Sequence, residues 1–91
     1  MKVTVRFFAY FRDLFKGRGE QIELQSGSSM GDLLNLLCDS PRRREQIFDG
    51  GEIKPHMLVL KNGRHIRHLG GLETKLDEGD AIVIIPPVGG G

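Results

Sequence analysis

Cysteine is nearly absent from this 91-residue chain, which has a single thiol at Cys38. One cysteine excludes an internal disulfide and any iron–sulfur or zinc site that needs several thiolates. Charge of one sign is not in excess either, because the formal net charge is +1, so neither nucleic acid nor membrane is an expected partner. No apolar run is long enough to span a bilayer. These absences predict a soluble protein of a reducing, cytoplasmic compartment with no metal site.

Residues for independent catalysis are also lacking, since the sequence contains no nucleophile–base pair and no phosphate-binding loop. The first residues alternate between polar and apolar and do not form the apolar core of a signal peptide. We therefore do not expect a secreted protein. The length suits one domain with a single core.

The first half of the chain predicts two strands followed by a helix. Val3, Val5 and Phe7 alternate with polar positions, and Glu20–Leu24 alternates again, which is typical of a hairpin of half-buried strands. Ser29 and Asp32 have the spacing of a helix capping box. An apolar helix face follows at i, i+3, i+4 and i+7, made by Met30, Leu33, Leu34 and Leu37. Pro41 is placed to open a short second helix over 42–48.

The second half predicts three more strands. His56–Leu60 is apolar, and Asn62-Gly63 is a strong hairpin signal before a return strand over Arg64–Arg67. Asp49-Gly50-Gly51 is expected to be a loop, and Leu76 is expected to anchor the core. Ala81–Ile85 is apolar on both faces, as in the middle of a sheet. One main helix packed across a mixed sheet of this order is an α+β fold, the β-grasp or ubiquitin-like architecture.

The chain ends on Pro86-Pro87-Val88-Gly89-Gly90-Gly91. Proline resists further strand pairing, and glycine without a Cβ can lie in a narrow slot. We therefore predict a domain over 1–85 and a flexible tail over 86–91 whose carboxylate is a handle for another protein's active site. A frayed terminus or a cloning remnant would leave the same residues.

Several segments in this order resemble the MoaD/ThiS family of ubiquitin-like sulfur carriers, and most closely its MoaD branch. They are Arg6-Phe7-Phe8-Ala9-Tyr10-Phe11-Arg12-Asp13-Leu14, Val59-Leu60-Lys61-Asn62-Gly63, Leu76-Asp77-Glu78-Gly79-Asp80-Ala81-Ile82, and Pro86-Pro87-Val88 before the glycines. The resemblance covers essentially the whole chain. Gly89 departs from it, because the family usually has Ser, Ala or Thr there.

The resemblance implies a sulfur carrier in molybdenum or tungsten cofactor synthesis that is not an enzyme by itself. Gly91 would be adenylated by an E1-like adenylyltransferase of the MoeB/ThiF type, which uses ATP, and then converted to a thiocarboxylate. The sulfur would pass to a pterin precursor in the large subunit of molybdopterin synthase, of the MoaE type. The carrier itself would bind no cofactor stably.

The resemblance also implies where partners bind. Pro86, Pro87, Val88, Gly89 and Gly90 would enter the partner's slot, and Phe8 and Ile85, together with Val88, would form the partner interface. Alternation along the first strand agrees, because it puts Arg6 and Phe8 on the outer face of the sheet. Phe8 packing beneath the Phe11–Phe15 loop is the alternative.

Other functions share the same tail. The carrier could serve thiamin, cysteine or tRNA thiolation, or the chain could be a ubiquitin-like modifier joined to lysine through Gly91. An interaction module with an inert tail is a third class. Three further features have ordinary structural explanations: Cys38 as a buried thiol, His65 and His68 as solvent-facing side chains, and Arg42-Arg43-Arg44 as a solvated helix start.

Overall fold

A computed structural model describes residues Met1–Pro87 of the chain. Seven strands and three α-helices follow in chain order: β1 (Lys2–Phe7), α1 (Phe11–Leu14), β2 (Gly19–Glu23), α2 (Met30–Leu37), α3 (Pro41–Ile47), β3 (Phe48–Asp49), β4 (Glu52–Ile53), β5 (Leu58–Lys61), β6 (Arg64–His65) and β7 (Ala81–Ile85). Two 3₁₀ helices, Ile66–His68 and Gly71–Glu73, lie between β6 and β7.

The predicted first hairpin is confirmed. Strand β1 alternates strictly between exposed and buried residues, with Val3, Val5 and Phe7 at most 1% exposed. It pairs antiparallel with β2, and Val3 lies opposite Ile22. Period-two alternation therefore placed one face of β1 in the core, as the sequence pattern requires.

Helix α2 begins at the predicted capping box. The Ser29 hydroxyl accepts a hydrogen bond from the Asp32 backbone N–H, and the Asp32 carboxylate accepts one from the Ser29 N–H. These bonds satisfy two donors that a helix start leaves without partners. The predicted apolar face is buried: Met30, Leu33, Leu34 and Leu37. They join one continuous core with the inward side chains of the sheet.

The sheet has the strand order β2-β1-β7-β5-β6. Strand β7 lies at its centre, parallel to β1 and antiparallel to β5. Its two inward residues, Ile82 and Ile84, are fully buried. The sheet is mixed and the main helix packs across one face, which confirms the predicted β-grasp fold.

Three short elements differ from the sequence prediction. Asp49-Gly50-Gly51 is the tip of a small hairpin, because Phe48 pairs with Ile53. The return strand ends at His65, after which Ile66–His68 forms a 3₁₀ helix with buried Ile66. Helix α1 occupies part of the expected loop. Elements of two to four residues are too short to show a hydrophobic period.

A buried carboxylate ties the β5–β6 turn to the start of β7. Asp80 is 7% exposed and accepts hydrogen bonds from the Asn62 side-chain amide at 2.9 Å and the Asp77 backbone N–H at 2.8 Å. The Lys61 ammonium lies 3.6 Å away. The Asn62 amide oxygen in turn accepts from the Ala81 N–H. The Asn62-Gly63 turn, with φ of 50° and 85°, is therefore fixed against the central strand.

Candidate functional site

The face of the sheet turned away from α2 carries an apolar patch at the end where β7 leads into the tail. Outward positions of β7 are Val83 and Ile85, and both are half-buried. In register with them on β5 lie Leu60, which is half-buried, and Leu58, which is 38% exposed. These four side chains lie outside the buried core. We call them, together with Phe8, the outer patch.

Phe8 follows β1 on this same face. Its N–H donates to the Ile84 carbonyl oxygen at 3.3 Å, which continues the parallel pairing with β7. Ala9 then adopts a left-handed conformation, with φ of 53°, and turns the chain away from the sheet. Phe8 is half-buried and does not belong to the core cluster.

The aromatic core beneath α1 is made by other residues. Phe7 stacks on Phe15 with ring centroids 4.4 Å apart, and Phe11 meets Phe15 edge to face. Phe8 is instead bordered by two guanidinium groups. Cζ of Arg12 lies 5.2 Å from its ring centroid and Cζ of Arg6 lies 5.6 Å away. The predicted outward placement of Phe8 fits this geometry, and its contact with a partner stays a prediction.

Arg12 is fixed in place by the backbone. Its Nε donates to the Phe7 carbonyl oxygen at 3.1 Å, so its guanidinium is held beside the end of β1. Arg6 is exposed and points outward from β1, in the row that contains Val83 and Leu60. The site therefore combines an apolar centre with fixed positive charge on the β1 side.

The start of the tail keeps contact with the body. Pro86 is buried and Pro87 is half-buried. The predicted reacting residue Gly91 and the predicted slot residues Val88, Gly89 and Gly90 lie outside the described residues. Their roles stay predictions, as does the domain boundary after residue 85.

The remaining candidates of the sequence have structural roles. Cys38 is 3% exposed, and burial raises the pKa of its thiol to about 11, so the thiol stays protonated at neutral pH. Arg43 donates to the carbonyl oxygens of Leu14 and Leu37 and stacks on Phe15, with its Cζ 4.9 Å from the ring centroid. It is a structural residue, which the prediction of a solvated face missed.

The histidines form no metal site in the described part of the chain, where no group of three or more His, Cys, Asp or Glu residues could hold an ion. The His65 and His68 rings are 6.3 Å apart. His65 is half-buried, and its Nδ1 accepts from the Arg67 N–H at 3.2 Å while Nε2 lies 3.3 Å from the Met57 carbonyl oxygen. Burial and the neighbouring charge of Arg67 lower the pKa of His65. The His65 ring therefore caps the 3₁₀ helix through Nδ1, so the predicted solvent-facing placement holds for exposed His68 and is wrong for His65.

Sequence reasoning missed part of the outer patch. It identified Phe8 and Ile85 but not Val83, Leu58 or Leu60. Alternation marks the two faces of each strand, yet which strands become neighbours depends on long-range pairing.

Within Met1–Pro87, no helix is long and apolar enough to cross a membrane.

The chain is similar to known proteins over its whole length. The ThiS family model matches residues 5–91. The chain is 39% identical over 92 residues to small archaeal modifier protein 3 of Haloferax volcanii, with 100% of both chains covered. It is 30% identical to the molybdopterin synthase sulfur carrier subunit of Drosophila ananassae, covering 100% of this chain and 92% of that one.

Solved structures give the same result. The solution structure of a Haloferax volcanii protein matches with a TM-score of 0.85 at 39% identity, covering 100% of this chain and 87% of that chain. Small archaeal modifier protein 1 of Methanosarcina acetivorans matches with a TM-score of 0.81 at 35% identity, covering 99% and 96%. The fold, the family match through the last glycine and these relatives show that the chain belongs to the ThiS family of ubiquitin-like sulfur carriers.

Proposed function

We propose that this chain carries sulfur as a thiocarboxylate on Gly91 and delivers it for molybdopterin synthesis. The observation that carries the proposal is the match of the ThiS family model through residue 91, which includes Gly90 and Gly91. The central strand β7 runs directly into Pro86 and Pro87, and the outer patch lies beside that exit. A partner that docks on the patch would therefore receive the tail.

In this proposal the chain supplies only the reacting carboxylate, and the partner enzyme supplies the catalytic groups. A carboxylate oxygen of Gly91 attacks the α-phosphorus of ATP, and pyrophosphate leaves. A sulfur nucleophile then attacks the acyl carbon of the adenylate, and AMP leaves with one of the original carboxylate oxygens. Positioning and charge stabilisation come from an E1-like adenylyltransferase of the MoeB/ThiF type. We expect ATP to be bound there and not by the carrier.

The acceptor we propose is a pterin precursor held by a large synthase subunit of the MoaE type. The 30% identity to a molybdopterin synthase sulfur carrier subunit supports this acceptor. The Pro86-Pro87-Val88 sequence before the glycines supports it as well. A reducing cytoplasm would suit both the free thiol of Cys38 and a thiocarboxylate.

The test is the mass of the intact chain after incubation with ATP, an E1-like adenylyltransferase of this family and sulfide. We expect a mass increase equal to the exchange of one oxygen for sulfur. The chain without Gly91 should gain nothing while keeping its unfolding midpoint. An unmodified wild-type chain, with an adenylyltransferase that modifies its own carrier in the same buffer, would refute the proposal.

A second candidate is a ubiquitin-like protein modifier, with Gly91 joined to lysine by an isopeptide bond. The 39% identity to small archaeal modifier protein 3 favours it specifically. Both functions begin with the same adenylate, and they differ in whether sulfur or a lysine amine takes the acyl group. Denaturing gels of cells that express a tagged chain separate them, because covalent conjugates that vanish without Gly91 identify the modifier.

A further inference from the structure

The turn between β5 and β6 contains the Asn62-Gly63 pair, in which a side-chain amide is followed by a residue without a side chain. The backbone nitrogen of Gly63 can attack the side-chain carbon Cγ of Asn62 in such a pair, because no Cβ obstructs the approach. Asparagine is one of the thermally labile residues. Asn62 and Gly63 are both exposed, so water reaches this turn. Hydrogen bonding, and not burial, therefore decides whether the amide survives.

Three hydrogen bonds hold Asn62 against the start of β7. Its backbone N–H donates to the Ala81 carbonyl oxygen at 2.8 Å, and its Oδ1 accepts from the Ala81 N–H at 2.9 Å. Its Nδ2 donates to the Asp80 carboxylate at 2.9 Å. The backbone N–H can only donate and the carboxylate can only accept, so the orientation of the amide is fixed. While these bonds last, the side chain is not free to rotate its Cγ onto the Gly63 nitrogen.

The same contacts do not suit the product of that attack. A carboxylate at position 62 could still accept from the Ala81 N–H, but its second oxygen would take the place of Nδ2, 2.9 Å from an Asp80 oxygen. Two carboxylates at that distance repel each other, and the Lys61 ammonium already pairs with Asp80 and Asp77. An isoaspartate would instead add a carbon to the main chain of a two-residue turn. Either product therefore weakens the link between the turn and β7.

We propose that Asn62 is a site of spontaneous deamidation that becomes reactive only when the β5–β6 turn separates from β7. The Gly63 nitrogen gives its proton to water and bonds to Cγ of Asn62, and the Cγ–Nδ2 bond breaks to release ammonia. Water then opens the cyclic imide at Cγ or at the main-chain carbonyl, which leaves aspartate or isoaspartate. The net reaction consumes a water molecule and releases ammonia, and it needs no enzyme. Because the ammonia is lost, an opening of this turn can remove a chain permanently from the native population.

The test compares the intact chain in native buffer with the same chain unfolded in urea, at equal pH and temperature. Intact mass follows the exchange of an amide NH₂ for OH, and peptide mapping locates it. We expect Asn62 to deamidate at least about tenfold more slowly in the native chain, because the reaction must wait for a local opening. Asn35 is the internal control, since it is the only other asparagine and the bulky Leu36 follows it, so it should stay an amide in both samples. Equal rates in buffer and urea, or no reaction of Asn62 in urea, would overturn the proposal.

Two variants test the consequence for the fold. Asn62→Asp keeps a dipeptide that suits this turn, because Asp-Gly is favoured there as Asn-Gly is, yet it should raise the equilibrium constant of unfolding about tenfold or more. The double variant Asn62→Asp/Asp80→Asn exchanges the positions of the carboxylate and the amide, so it should lower that constant again by about threefold or more. Urea unfolding at pH 7 measures all three chains. Wild-type stability of Asn62→Asp, or a double variant no more stable than Asn62→Asp, would show that the network tolerates the product and would overturn the proposal.

Discussion

Replacing Phe8 with alanine should weaken partner binding strongly and stability only slightly. The ring lies outside the core, half-buried on the outer face, and its described neighbours include the guanidinium groups of Arg6 and Arg12. Cation–π contacts at exposed sites contribute about 0.5–1 kcal/mol each. Together the two contacts predict a loss of about 1–2 kcal/mol in the free energy of unfolding, less than the truncation of a core aromatic side chain costs.

Partner binding should respond far more. A half-buried aromatic side chain in an apolar patch, beside fixed positive charge, has the properties of an interface hot spot, whose truncation costs about 2 kcal/mol or more. The expected result is a dissociation constant for the adenylyltransferase raised about 30-fold. Urea unfolding and titration calorimetry on the same preparation measure the two quantities.

Two control variants separate an effect on stability from an effect on partner binding. Phe7→Ala empties a core position that is 1% exposed and stacked on Phe15, and it should cost about 3–5 kcal/mol of stability. Leu36→Ala removes an apolar side chain that is 54% exposed on α2, and it should change neither quantity. If Phe8→Ala loses as much stability as Phe7→Ala, Phe8 is a core residue. If it binds as tightly as Leu36→Ala, the outer patch is not the docking surface.

Three further predictions concern the body of the carrier. Burial acts to raise the pKa of Asp80, but hydrogen bonds from Asp77 and Asn62 and the charge of Lys61 outweigh burial and lower it. The stability that Asp80 contributes is therefore present above its unfolded pKa of about 4 and is lost as pH falls through the lower folded value. Asp80→Asn should lower the free energy of unfolding by about 1–3 kcal/mol at pH 7 and reduce its pH dependence below about pH 5. Urea unfolding measured against pH tests both effects, and an unchanged pH profile would contradict this prediction. Cys38 should react with a thiol reagent at pH 8 only as fast as the protein unfolds, whereas rapid labelling of native protein would show that the thiol is accessible. Gly19→Ala should destabilise the fold by about 1–3 kcal/mol, because the added Cβ would lie 2.6 Å from the Val5 carbonyl oxygen. Gly17→Ala is the control and should not destabilise the fold, because no atom lies within 4 Å of the added Cβ. Equal melting temperatures of the two variants would refute the clash.

The long elements could be predicted because each carries its own local signal. The capping box at Ser29 and the four apolar residues of α2 fix that helix without reference to the rest of the chain. The Asn62-Gly63 pair fixes a turn in the same way. Ala81–Ile85 is apolar on both faces, which is typical of a strand in the middle of a sheet, and β7 does lie between β1 and β5.

The missed features depend on tertiary contacts. The hairpin of Phe48–Asp49 with Glu52–Ile53 is only two residues long on each side, so no alternation can reveal it. Arg43 belongs to a charged run, and only the structure brings the Leu14 carbonyl oxygen, 29 residues earlier in the chain, within its reach. The residues of the outer patch were likewise only partly predictable from the sequence. Alternation along the first strand and the family resemblance both indicate Phe8, and the resemblance indicates Ile85. Val83, Leu58 and Leu60 join them only through the register of β7 with β5.

The central position of β7 has a mechanical consequence. The strand that continues into the tail is hydrogen-bonded to β1 on one side and to β5 on the other. A pull on the tail must shear bonds along both neighbours together, whereas an edge strand would peel away one bond at a time. An unfolding force applied at the tail would therefore act first on a strand that is paired along both edges. We therefore expect the body to stay folded when a partner binds the tail.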